Sequence, residues 1–162
     1  MQIREISEAD FEAVYSMVGE VAQAGDSYAY PSDMSREMMH QYWVDQPRKT
    51  FVCVINQAIA GVYYLKTNQQ GPGAHVCNAG FITHRAFYGQ GVASAMCHHA
   101  QEQAKLLGYQ AMQFNFVASS NSAAVHVWQK HGFDIVGRLP NAFNHPQQGL
   151  VDALVMYKWL AD

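Results

Sequence analysis

A chain of 162 residues, 49% hydrophobic and 14% charged, with a formal net charge of −3, is long enough to bury a full core and predicts a single domain over residues 1–162. No run of Lys or Arg occurs, which argues against nucleic acid or a charged membrane surface as partner and leaves small molecules. Cys53, Cys77 and Cys97 form neither a CxxC unit nor a disulfide framework, and no apolar run approaches ~20 residues, so a cytoplasmic protein that does not enter a membrane is expected.

In chain order, residues 2–6 alternate like a strand, and Ser7-Glu-Ala-Asp10 has the form of a capping box before a helix. Phe11, Val14, Tyr15, Val18 and Ala22 then recur at helical spacing as one apolar stripe. Beyond Pro31, Ser35 is placed to cap a second helix running to about Asp45, stopped by Pro47. Residues 50–55 and 59–66 read as a hairpin hinged at Asn56-Gln57, and after the turn-rich segment 68–73 a strand at 75–83 extends it to a meander. Ala93, Met96, Cys97, Ala100, Ala104 and Leu107 mark a long helix ending at Gly108. A strand at 110–117, a helix at 121–131 closed by Gly132, and strands at 133–139 and 150–159 complete the chain. This order predicts an α+β fold whose mixed sheet is mostly antiparallel, with one parallel pair flanking the crossover helix and helices covering the sheet. Ligands in such sheets sit at the carboxyl ends of the strands.

The most informative stretch is Phe81-Ile-Thr-His-Arg-Ala-Phe-Tyr-Gly-Gln-Gly-Val-Ala-Ser-Ala-Met96, a strand entering a glycine turn that opens directly into a helix. Gly89 and Gly91 permit a tight turn that exposes successive N–H groups, and the helix adds partial positive charge, so a phosphate or pyrophosphate is the natural guest. Taken alone, such a turn is equally an ordinary strand-to-helix connection.

The segment Tyr88–Ala93 resembles the signature of the GNAT N-acetyltransferase superfamily, Arg/Gln-x-x-Gly-x-Gly/Ala, with Gly91 and Ala93 matching. Asn121-Ser-Ala-Ala124-Val-His-Val-Trp128-Gln-Lys-His-Gly132-Phe133 is similar to the same family's Asn-x-x-Ala-x-x-x-Tyr-x-x-x-Gly-Phe element. The resemblance implies a GNAT-like fold, acetyl-CoA as cosubstrate, and transfer of an acetyl group to an amine. It further implies that the amides of Gly89, Gln90, Gly91, Val92 and Ala93 hold the pyrophosphate. By the same likeness, Phe81, Ile82 and Thr83 pair with the pantetheine arm, and Asn121, Ala124 and Trp128 line the thioester side. Gln113-Phe-Asn-Phe-Val117, Gly137-Arg-Leu-Pro and Gly149-Leu-Val-Asp-Ala153 look like the subgroup containing fungal acetyltransferases of proline analogues and bacterial relatives. That likeness implies substrate-holding roles for Asn115 and Asn144, and family likeness is consistent with a homodimer in which the strand at 150–159 joins a partner's sheet.

Two positions depart from the pattern. Tyr88 stands where the family usually has Arg or Gln, with Arg85 close in sequence to supply charge. Trp128 replaces the tyrosine that protonates the leaving thiolate in many members, and an indole N–H is no ordinary proton donor. Transfer can survive this loss because a thiolate is a good leaving group and most of the acceleration can come from geometry.

Several residues carry two readings. Asn121 is a favoured helix N-cap as well as a candidate ligand, and Trp128 falls at helical spacing with Ala124 and fits a core equally well. Asn115, in the apolar run 112–117, would need a ligand or a backbone partner if buried, and Asp152 follows the same logic. Cys97 lies on the buried stripe of the long helix and reads as a small core residue rather than a nucleophile. Of the eight histidines, His98 and His99 are adjacent while His126 and His131 lie five apart, so no metal site is expected. The aromatics Tyr28, Tyr30, Tyr63 and Tyr64 suit either a substrate wall or a core. Competing readings for the whole chain are an acetyltransferase of protein N-termini or lysines, which needs an open groove near residues 141–149, and a non-catalytic coenzyme-binding module.

Overall fold

The computed structural model describes residues 1–161, so the last residue of the expected domain, Asp162, lies outside the described residues. A seven-stranded sheet has the order β1-β2-β3-β4-β5-β7-β6, with β1 Gln2–Glu5, β2 Lys49–Ile55, β3 Ala58–Thr67, β4 Val76–Thr83, β5 Ala111–Ala118, β6 Asp134–His145 and β7 Gly149–Trp159. Four helices, α1 Phe11–Ala24, α2 Arg36–His40, α3 Val92–Leu106 and α4 Ser122–Lys130, interleave with the strands. All pairs are antiparallel except β4 with β5, which run parallel on either side of the α3 crossover. The α+β expectation therefore holds.

Strand periodicity decides which residues reach which layer. On β2 and β3, Phe51, Cys53, Tyr63 and Leu65 point into a core shared with Met96, Cys97, Ala100 and Ala104 of α3. Their neighbours Val52, Val62 and Tyr64 point to the other face, against Val14, Val18 and Ala22 of α1. Burial on both faces is why these strands read as almost unbroken apolar runs. The β2–β3 turn places Asn56 and Gln57 at φ 49 and 66, the doubly left-handed turn that matches strand twist.

At the N-terminus, the Asp10 carboxylate accepts hydrogen bonds from the Ser7 N–H and hydroxyl, both at 2.8 Å. It also takes a bidentate pair from Arg4 at 2.7 and 2.8 Å. The Arg4 guanidinium holds this carboxyl well below the usual carboxylate range. A depressed folded-state pKa contributes stability above the unfolded value of about 4, and that stability is lost as pH falls through the folded value. Asp10→Asn should therefore cost about 1–2 kcal/mol at neutral pH. The gap in urea midpoint between the variant and the wild type should begin to narrow below about pH 4 and go on narrowing as pH falls further, and a constant gap between about pH 7 and about pH 2 would refute the ion-pair account.

Three sequence expectations change. Ser35 does cap α2, accepting from the Met38 N–H at 3.2 Å, but residues 41–45 continue as a π turn closed by the Gln46 N–H on the Gln41 carbonyl at 2.9 Å. The strand expected to stop at Leu139 continues to His145, because two extra residues bulge between Leu139 and Phe143. Asp152 holds that bulge: its carboxylate accepts from the Asn141 N–H at 3.0 Å and from Arg138 at 2.8 Å. Finally, β7 is paired on both sides, by β5 and β6, so β6 rather than the strand at 150–159 is the edge that a second copy could join.

Candidate functional site

β4 and β5 share only three registered pairs, Val76–Ala111, Cys77–Met112 and Asn78–Gln113. Beyond Asn78 the two strands have no further registered pair, and the Asn78 side-chain amide closes the last rung by donating to the Gln113 carbonyl at 3.0 Å. A second irregularity follows on β5, where three residue steps from Phe114 to Val117 face two on β7, from Met156 to Leu154. The extra residue leaves Asn115 and Phe116 exposed. The sheet thus opens as a V between β4 and β5, and two cavities adjoin it.

The larger, about 600 Å3, extends from the V to the start of α3. Its walls include Phe81, Ile82 and Thr83 from β4, Tyr88, Gly89 and Gly91 from the turn, and Val92, Ala93 and Ser94 from the first turn of α3. Gly89 and Gly91 have φ of 75 and 77, and a Cβ built on either would meet no atom within 4 Å. Glycine is therefore favoured here by backbone conformation rather than by crowding. The N–H groups of Gly89, Gly91, Val92, Ala93 and Ser94 have no partner among the described residues. This is a converging donor set at a helix N-terminus, the chemistry that holds a diphosphate. On the same wall the Ser120 hydroxyl is buried without a partner. The residues present fit a phosphorylated coenzyme.

The smaller cavity, about 270 Å3, lies beside the V and is lined by Tyr28, Tyr30, Tyr64, Asn78, Asn115 and Phe116 among others. No charged side chain among the described residues lines it. Burial pushes the phenols up: Tyr28 and Tyr30 well above their usual value and Tyr64 to about 12. All three are protonated donors at neutral pH. Ser27, Tyr28, Phe81, Asn121, Ala124 and Trp128 border both cavities and form their junction. Trp128 is 7% exposed and wedges between Phe81 and Phe114, with ring centroids 4.9 and 5.0 Å away. It is core and cavity wall at once. Asn121 caps α4 by accepting from the Ala124 N–H at 3.2 Å, and also borders both cavities.

The expected residues divide unevenly. Phe81, Ile82, Thr83, Tyr88, Gly89, Gly91, Val92, Ala93, Asn121, Ala124 and Trp128 all line the large cavity. Gln90 does not: its backbone N–H donates to the Phe87 carbonyl at 3.3 Å rather than to the cleft, and its side-chain amide turns back to the Ala86 carbonyl at 3.2 Å. Arg85 lines a neighbouring hollow that shares Tyr88 and Thr83, rather than the cleft itself. Asn115 reaches the small cavity but is exposed, although it stands in an apolar run. The bulge supplies the reason, and Asn115 is satisfied by side chains, donating to Asn68 at 2.7 Å and accepting from Gln113 at 2.9 Å. Asn144 is exposed and lines neither cavity. Alternation along β6 instead turns its neighbour His145 inward to the large cavity, with Nδ1 accepting the Gln147 and Gln148 N–H groups at 3.2 Å.

Sequence reasoning missed His145, Ser94 and Asn78, and left Tyr28 undecided. Ser94 had a signal, being the next residue into the helix after Ala93. Tyr63 belongs to the core, fully buried and bonded to His99 Nδ1 at 2.6 Å. The cysteines are buried and line neither cavity, with Cys77 and Cys97 raised by burial to about 12 and 11.

A parallel strand pair that parts above a glycine turn, with free amides at the following helix, is the architecture of an acyl-coenzyme binding fold. The chain matches the acetyltransferase (GNAT) family over residues 2–133 and belongs to it. It is similar to a solved GCN5-related N-acetyltransferase from Kribbella flavida, at 35% identity and a TM-score of 0.93, covering 98% of this chain and 96% of that one. A phosphinothricin acetyltransferase from Sinorhizobium meliloti, solved in complex with AcCoA, shares the fold with a TM-score of 0.87 at 14% identity, covering 99% and 88%. The N-acetyltransferase aca1 of Schizosaccharomyces pombe is 25% identical over 99 residues, which is 60% of this chain and 47% of that protein. The match therefore spans about half the length of that curated relative.

Proposed function

We propose that this protein transfers the acetyl group of acetyl-CoA to the nitrogen of a small amine, an amino acid or imino acid, by direct attack. Acetyl-CoA supplies the activated thioester; the amides of residues 89 and 91–94 bind its diphosphate, and the edge of β4 beyond Phe81, whose own N–H and carbonyl are held by the Tyr28 hydroxyl, receives its pantetheine arm. The observation that carries the reading is the junction: a coenzyme-sized cleft and an uncharged pocket of about 270 Å3 share one wall at Phe81 and Trp128. A pocket of this size suits a small acceptor better than a peptide. Its phenols and amides offer hydrogen bonds without a fixed charge, so a neutral, nucleophilic amine is not trapped as an ion pair. Asn115 orients the acceptor from the rim, and water accepts the proton that the nitrogen sheds. Attack is direct rather than through a cysteine acetyl-enzyme, because the three thiols are buried and line neither cavity.

Purified protein should be given acetyl-CoA with a panel of amino acids, imino acids, aromatic amines and short peptides, and release of free thiol followed. Turnover is expected with small acceptors and not with peptides. Preference for peptide N-termini or lysines would replace this reading with protein acetylation. Coenzyme binding without turnover on any amine would replace it with a binding module.

A further inference from the structure

We propose that Tyr28 is a catalytic proton donor, its phenol supplying the departing thiolate with the proton that Trp128 cannot give; this rests on the acetyl-transfer reading above. Tyr28 lies in the segment between α1 and α2, far in sequence from both family motifs, and its local sequence suits a substrate wall or a core alike. The structure brings its hydroxyl across 53 residues onto the open edge of β4. There the oxygen accepts the Phe81 N–H at 2.7 Å while the hydroxyl donates to the Phe81 carbonyl at 3.0 Å.

Six residues border both cavities, and their chemistry singles out this one. Phe81 and Ala124 have apolar side chains. The Asn121 carbonyl oxygen is engaged as the cap of α4, and an amide does not titrate near neutrality. Trp128 offers an indole N–H, which donates a hydrogen bond but not a proton. Ser27 has an aliphatic hydroxyl, far weaker as an acid than a phenol. Only Tyr28 combines a transferable proton with a position on the shared wall.

Its setting also fits the task. The ring is held by stacking on Tyr30 at 5.0 Å and by an edge contact with Trp43 at 6.3 Å, so the oxygen is fixed, and the O–H reaches a sulfur by turning away from the Phe81 carbonyl to which it donates. Burial raises the Tyr28 phenol well above its usual value, and the Phe81 N–H that points at its oxygen opposes that rise by stabilising the phenolate left behind. As the N–C bond forms and the C–S bond breaks, Tyr28 gives its proton to the departing sulfur. The proton shed by the attacking nitrogen returns through solvent to the phenolate oxygen, which balances the step.

Tyr28→Phe removes the hydroxyl and keeps the ring. Calorimetric titration with acetyl-CoA should find the variant's affinity within a few fold of wild type, whereas kcat should fall about 100-fold. Two further readouts separate proton donation from a structural role. In complexes with free coenzyme A, ultraviolet titration of the thiolate should place the thiol pKa at least about one unit higher in the variant, because a donor to the charged sulfur has gone. With the acetyl selenoester of the same coenzyme, whose selenolate departs unprotonated, wild type and variant should turn over at similar rates. Equal losses with thioester and selenoester, or an unshifted thiol titration, would overturn the proposal. Absence of turnover by wild type on every amine would instead overturn the acetyl-transfer reading on which it rests.

Discussion

Gly91→Asp should weaken acetyl-CoA binding at least about 100-fold, close to 3 kcal/mol, while the protein remains folded. Gly91 sits at φ 77 as the N-cap of α3, and a Cβ there would meet no protein atom within 4 Å. Aspartate is among the residues that tolerate the left-handed region, so the backbone cost is small compared with that of a β-branched substitute. What the side chain adds is a carboxylate in the cleft, among amide N–H groups that otherwise have no partner. Those donors are then claimed by the new carboxylate, and the diphosphate meets a like charge in place of an open cradle. Calorimetric titration with acetyl-CoA reads the affinity and a thermal melt reads the fold. Undiminished affinity would mean that the phosphates bind elsewhere, and a lost melting transition would mean that Gly91 serves folding before binding.

The turn and helix that line the larger cavity were legible in the sequence because their geometry is local. A left-handed glycine, the first turn of a helix and the amides between them occupy adjacent positions, so one stretch from Phe81 to Met96 carries both the cause and the consequence. Asn121 and Trp128 were legible for the same reason, being placed by helical spacing from one cap. The acceptor half is assembled differently. Tyr28 comes from a loop, Tyr64 from β3, Asn78 from β4 and Asn115 from β5, and no periodicity links them. Which way Asn115 faces could not be read from its apolar run, because alternation along a strand presumes an unbroken ladder and the β5 bulge breaks it. Asn144 was singled out by likeness alone, beyond the expected end of the strand at 139; it lies one residue from His145, and on a strand one residue is the difference between two faces. Pro140 and Asn141 looked like the end of a strand because they are turn residues. An edge strand with a bulge tolerates both, Asn141 at φ 53 with its N–H held by Asp152.

Trp43→Ala should lower the melting temperature by roughly 10–15 °C, the largest stability loss expected from a single truncation on the α1–α2 face of the sheet. Trp43 is fully buried in the π turn that follows α2. Its ring meets Tyr64 at 5.0 Å and Tyr28 at 6.3 Å, both edge-on, and its carbonyl receives the Thr50 hydroxyl at 2.6 Å. Truncating a buried indole removes its apolar burial and leaves a cavity, about 3–5 kcal/mol together. For a chain of this length each kcal/mol corresponds to about 2–4 °C. The functional consequence follows from the neighbours, because Tyr28 and Tyr64 are the walls of the small pocket and Trp43 is what they lean on. Trp43→Phe, which keeps a ring and loses less volume, should fold with a loss of only a few degrees. In that variant the acceptor KM should rise several-fold while acetyl-CoA affinity is retained, since the amide cradle lies on α3 and not on this face. A melting temperature within about 3 °C of wild type for Trp43→Ala would show that the cavity collapses without cost. An unchanged acceptor KM in Trp43→Phe would show that the tyrosine wall stands without its support.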